Sequence, residues 1–177
     1  MFKGIKLYVV VIVAVVLLAA LMLGFNLYMK YTDSGLEKNI KDIDGVKSVK
    51  IIKDKVSQKI YVGIEKDTDL KNLYLEMEKE INKQSPQSVI IIQDVKGKSY
   101  TKLENAYDGI SYYLYESMIK GDFPEMISSI QDKLKSSGIN YTIKVDEKNI
   151  YVTMSYSDST LYKVINYSQA LRGEHND

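Results

Sequence analysis

Few residues in this chain are spaced for catalysis. The single histidine, His175, lies in a polar tail over 168–177, and there is no cysteine. Ser-His-Asp and Cys-His arrangements therefore have no credible base. Disulfides and thiolate metal sites are excluded as well. Gly97-Lys98-Ser99 has the ending of a phosphate-binding loop. The glycine required five residues earlier is replaced by Ile92, so the cradle of backbone N–H groups is missing and a polar turn is expected. Asp42-Ile-Asp44 and Asp67-Thr-Asp69 could offer oxygens to a hard cation. Both stand at helix ends, where aspartate caps account for them without metal. Glu76, Glu78 and Glu80 interleave with Lys79 and Lys83 and read as a solvated helix face. No catalytic residue, metal site or cofactor is assigned.

Tyrosine is the unusual abundance, fifteen residues with no tryptophan. Tyr107, Tyr112, Tyr113 and Tyr115 crowd one predicted helix, and at about 100° per residue they cannot share one face. Rings with a polar tip suit contact surfaces. Tyr107, Tyr112 and Tyr115 are therefore the candidate interface. The alternative is a core helix whose tyrosine tips reach solvent.

The elements that must carry these residues begin with an uncharged apolar run, Leu7–Met29. At about 1.5 Å per residue it gives roughly 34 Å of helix, enough for a hydrocarbon core of about 30 Å. Lys3 and Lys6 precede it and no acid does. The positive charge places residues 1–6 in the cytoplasm and the body outside it. A cleaved signal peptide would need a shorter apolar core and a small-x-small site. The expectation is an uncleaved, single-pass anchor over 7–29, with the lipid bilayer as its partner. All acidic residues lie beyond this run with nearly all the lysines, leaving a body close to neutral with mixed signs. No basic stripe suggests nucleic acid.

Helix start signals divide the body. A capping box at Ser34–Glu37 opens a short helix that Gly45 follows. Val46–Lys53 and Lys59–Glu65 alternate as a hairpin around a polar turn at Asp54–Gln58. Asp67 or Thr68 caps a helix over about 69–83, with Leu70, Leu73, Tyr74, Met77 and Ile81 as its stripe. Val89–Gln93 is solidly apolar and is expected to be buried on both faces. A second capping box, Thr101–Glu104, opens a helix ending at Gly121. Asp122-Phe-Pro-Glu125 opens another, with Met126, Ile127, Ile130 and Leu134 as its stripe. Two alternating strands follow, Ile139–Val145 and Ile150–Tyr156, joined at Asp146–Lys148. Leu161–Tyr167 fits both helix and strand, and its β-branched and aromatic content favours strand. Lys59–Ile64 matches Asn149–Met154 at an offset of ninety residues. A duplication and a shared amphipathic strand pattern both explain the match.

The fold class is α+β: a transmembrane helix, then two helix-backed antiparallel sheet units, α-β-β-α-β over 34–95 and α-α-β-β-β over 101–167. On Gly45-Val-Lys-Ser-Val49, Lys59–Ile64 and the helix to Lys83, residues 36–93 resemble ring-building motifs and BON modules. The whole chain resembles in style the anchored envelope proteins of spore-forming Gram-positive bacteria. The resemblance implies a module outside the membrane that associates side by side. The expected function is a non-enzymatic envelope interaction or assembly protein, with protein partners or self-association. A ligand-binding or sensor module acting through a membrane partner is the alternative.

Overall fold

The computed structural model describes residues 7–53 and 58–170, with side chains described for 8–24, 35–53 and 58–168. Lys3, Lys6, most of the 54–58 turn, and the tail from 171 with His175 lie outside the described residues.

Helix α1 is one element, Leu7–Lys41. The capping box at Ser34–Glu37 does not start a helix, because the chain is already helical there. Gly35 costs only about 1 kcal/mol relative to alanine, and the segment has no proline to break it. Leu36 and Ile40 anchor this end by burying in the core. The anchor expectation is corrected. Among the described residues, no helix is long and apolar enough to cross a membrane. The single-pass localisation, with a cytoplasmic N-terminus and a body outside, falls with it.

Strands β1 (Val46–Lys53) and β2 (Gln58–Ile64) pair antiparallel. Helix α2 (Leu70–Gln84) then crosses over to β3 (Val89–Ile92), which pairs parallel to β2. The first sheet, ordered β1-β2-β3, is therefore mixed and not antiparallel as expected. A parallel pair needs a connection of about a dozen residues or more, and α2 supplies it. Strand β3 lies at a sheet edge and is half-buried along its length, not buried on both faces.

Helix α3 (Tyr100–Lys120) ends on Gly121, which takes the left-handed φ of 71° that favours glycine. The hydroxyl cap expected at Thr101 is absent: the helix starts at Tyr100, so the cap position lies two residues earlier, at Ser99, which makes no side-chain cap bond. Helix α4 (Phe123–Leu134) starts as expected, with the Asp122 carboxylate accepting from the Glu125 N–H. Strands β4 (Asn140–Val145), β5 (Asn149–Tyr156) and β6 (Ser159–Asn166) form an antiparallel sheet in that order. The ambiguous segment is thus strand to Asn166, followed by one turn of helix, α5 (Tyr167–Ala170).

Two cores result. One joins Leu36 and Ile40 of α1, Ile60 and Val62 of β2, and Leu73 and Met77 of α2. The other joins α3, α4 and one face of the second sheet through Leu103, Leu114, Ile130, Val152 and Leu161. The second sheet is covered on both faces. Ile150, Val152 and Met154 face α3 and α4, while Tyr151 and Tyr162 belong to the first core. Beyond β3, Val95 makes a two-bond bridge to Thr160, and Asp94 accepts from the Tyr162 N–H at 2.7 Å. The halves are packed together, not strung apart.

Candidate functional site

Strand register assembles a polar surface on the second sheet. Lys144 pairs with Tyr151, and Tyr151 with Val164. Thr142, Thr153 and Tyr162 form the next row; Asn140, Ser155 and Thr160 form the third. Side chains alternate along a strand, so all nine share the face opposite α3 and α4. Helix α2 roofs the first row, with the Tyr74 ring edge-on to Tyr151 at 5.7 Å. The other two rows floor an open cleft of about 430 Å³.

The opposite wall is the loop Lys66–Lys71 entering α2. Asp69 caps the helix, accepting from the Asn72 backbone N–H at 3.5 Å and its Nδ2 at 2.9 Å. Lys144 reaches across from β4 to Asp69 at 2.7 Å. That hydrogen bond, with the Asn72 N–H, holds the Asp69 carboxyl below its ordinary range. Lys71 Nζ donates to the Val145 carbonyl at 2.9 Å. Asp67 takes a φ of 65°, a left-handed conformation that aspartate tolerates better than most residues. Among the described residues, the hydroxyls of Thr142, Thr153 and Ser155 take no side-chain partner.

Asp146, in the β4–β5 turn, fixes the cleft residue Tyr151. Its Oδ1 accepts from the N–H groups of Lys148 and Asn149, and its Oδ2 from the Tyr151 hydroxyl at 2.7 Å. Burial acts to raise its pKa, but these bonds outweigh it and the net shift is downward. Burial, then the bond to Asp146, pushes the Tyr151 phenol up.

The loop Gly97-Lys98-Ser99 does offer N–H groups to an anion, and the anion is the protein's own. Asp158, in the β5–β6 turn, accepts from Lys98 N at 2.9 Å and Ser99 N at 3.3 Å. Gly97 N donates to the adjacent Ser159 hydroxyl. The motif closes a tertiary contact.

The three candidate interface tyrosines separate. Tyr112 is 67% exposed and meets Tyr113 edge-on at 5.9 Å. Tyr107 and Tyr115 pack as half-buried residues against the second core. Burial, then the neighbouring Tyr115, raises the Tyr107 phenol. Lys163 sits 5.6 Å from the Tyr107 ring centre. Ile127, assigned to the α4 stripe, is exposed instead, as is Ile119. Of the two aspartate pairs, Asp42 and Asp44 are exposed, while Asp69 is the α2 cap in place of the expected Asp67 or Thr68. Among the described residues, no group of three or more histidine, cysteine or acidic side chains converges on a metal position.

The cleft residues were visible in the sequence only as the polar positions of alternating strands, which a solvated sheet face explains equally well. That α2 and its entry loop stand over them is a tertiary fact. No protein-family model, curated protein or solved structure matches the chain.

Proposed function

We propose that the chain is a non-enzymatic interaction protein, in which a packed two-sheet body carries an apolar helical docking segment. The observation that carries this reading is the surface of α1. The large apolar side chains described from Tyr8 to Leu23 are all exposed, between 42% and 70%. They occupy every face of the helix. A helix apolar all round is stable when apolar material surrounds it. Contiguous patches beyond a few hundred Å² mark association surfaces. The partner is lipid or the apolar surface of protein, a second copy included. The α-β-β-α-β order of the first module, shared with side-by-side associating modules, supports the same reading. So does the use of the cleft carboxylates: Asp69 is spent on its cap and on Lys144, which leaves it a poor general base.

The test compares the full chain with a chain beginning at Asp33. Sedimentation equilibrium without detergent should show the full chain self-associated and the shortened chain monomeric. Flotation with phosphatidylcholine vesicles separates lipid from protein as the partner. A full chain that stays monomeric in plain buffer and ignores vesicles would overturn the proposal.

A further inference from the structure

We propose that the cleft between the α2 entry loop and the second sheet binds a neutral, hydroxyl-rich ligand: a segment of glycan. The inference does not depend on the docking role of α1.

The floor carries the argument. Thr142 and Thr153 are cross-strand partners, as are Asn140 and Ser155. Together they present three hydroxyls and an amide in a regular array, the strands about 4.8 Å apart. Each hydroxyl both donates and accepts, and an amide does the same through its two ends. That is the complement of a sugar ring, whose hydroxyls also do both. Among the described residues, the hydroxyls of Thr142, Thr153 and Ser155 have no side-chain partner to give up. The volume of about 430 Å³ falls within the roughly 300–1,000 Å³ of ligand sites.

Other occupants fit less well. An apolar partner would strip water from these hydroxyls and return no hydrogen bond, at a cost for each one. An anion would meet Asp67 and Asp69 beside Lys66, Lys71 and Lys144. Two of those lysines are engaged, Lys144 on Asp69 and Lys71 on the Val145 carbonyl. The first-turn N–H of Asn72 is already taken by Asp69. A peptide adding as a strand would pair along the edge of β4, beside the cleft, and would leave the hydroxyls of the floor unused. A ligand without charge, bound through alternating donors and acceptors, meets none of these obstacles.

The experiment is calorimetric titration of the full chain in mild non-ionic, sugar-free detergent. The probes are the β-1,4-linked hexasaccharides of glucose and of N-acetylglucosamine, with inorganic phosphate as the anion arm. Saturable binding of at least one hexasaccharide is expected. Thr142→Val with Thr153→Val keeps the β-branched shape and removes two hydroxyls. It should weaken that binding about tenfold or more while the circular dichroism and melting temperature hold. If the double variant fails to fold, Ser155→Ala alone should weaken binding severalfold. No binding of either hexasaccharide overturns the proposal, as does binding that all these variants leave unchanged. Phosphate binding that disappears in Lys66→Gln, without sugar binding, reassigns the cleft to an anion.

Discussion

Gly97 is where a single atom matters most. A Cβ there would lie 2.3 Å from Asp158 Cγ and 2.6 Å from the Asp158 carbonyl oxygen. The carbonyl belongs to a tight turn and cannot swing aside. Gly97→Ala should therefore cost about 1–3 kcal/mol, the usual range for overpacking, read from urea unfolding of the chain beginning at Asp33. A cost near zero would mean that the 95–99 loop is not seated on the β5–β6 turn. Asp158 gives the same contact a pH signature. The Lys98 and Ser99 N–H groups hold its pKa below the ordinary carboxylate value. Hydrogen bonds lower Asp146 and Asp69 in the same direction. Where the folded pKa is depressed, the unfolded chain binds the proton more readily, so stability rises with pH across the interval between the two values. It is fully present above the unfolded pKa of about 4 and is lost as pH falls through the folded value. Melting temperature followed from pH 6 down to pH 2 should drop most below pH 4. Asp158→Asn should flatten part of that drop, and an unaltered slope would separate the carboxylate from the contact.

At the scale of elements, burial separates two isoleucines that look equivalent in sequence. Ile60 in central strand β2 is fully buried, and Ile60→Ala should cost about 2–5 kcal/mol. Its register partner Ile90 and the adjacent Ile91 lie on β3, an edge strand that is half-buried. Ile91→Ala should fall below that range in the same unfolding experiment, and an equal cost would place β3 deep in the core. The solid apolar run 89–93 suggested the opposite, because such a run is consistent with a strand covered on both faces. Local signals did better where the physics was local. Asp122 with Pro124 begins α4, Gly121 ends α3, and the alternation of β4 and β5 appears at the expected places. They failed where distant contacts decide. Burial of Leu36 and Ile40 keeps α1 continuous past Ser34, and the length of α2 turns β3 parallel. The cleft was legible as polar positions but not as a site, since nothing in Thr142 or Thr153 announces that α2 lies overhead. Tyr112 looked like Tyr107 and Tyr115 in sequence, yet only its ring is mostly exposed.

For the whole molecule, the decisive residue is Tyr151. It is 2% exposed and stands on the second sheet, yet it completes the first core and meets Tyr74 of α2 edge-on. Its hydroxyl donates to Asp146 and accepts from Asn149, so the same side chain also fixes the β4–β5 turn. Tyr162 repeats the arrangement on β6, and the Val95–Thr160 bridge ties the chain between the modules to the second sheet. A body joined in this way should unfold as one cooperative unit. Small domains sharing a core usually do so, whereas independent modules give separate transitions. Tyr151→Ala should then cost about 3–5 kcal/mol, as removal of a buried ring does, and the loss should appear on both sides of the shared surface. Native-state hydrogen exchange of the chain beginning at Asp33 measures this directly. Amides of Ile60 and Val62 in the first sheet and of Val152 and Met154 in the second should lose the same protection free energy. Loss confined to the second sheet, or two resolved melting transitions in the unsubstituted chain, would show that the modules fold separately and that the cleft between them is not held in one shape.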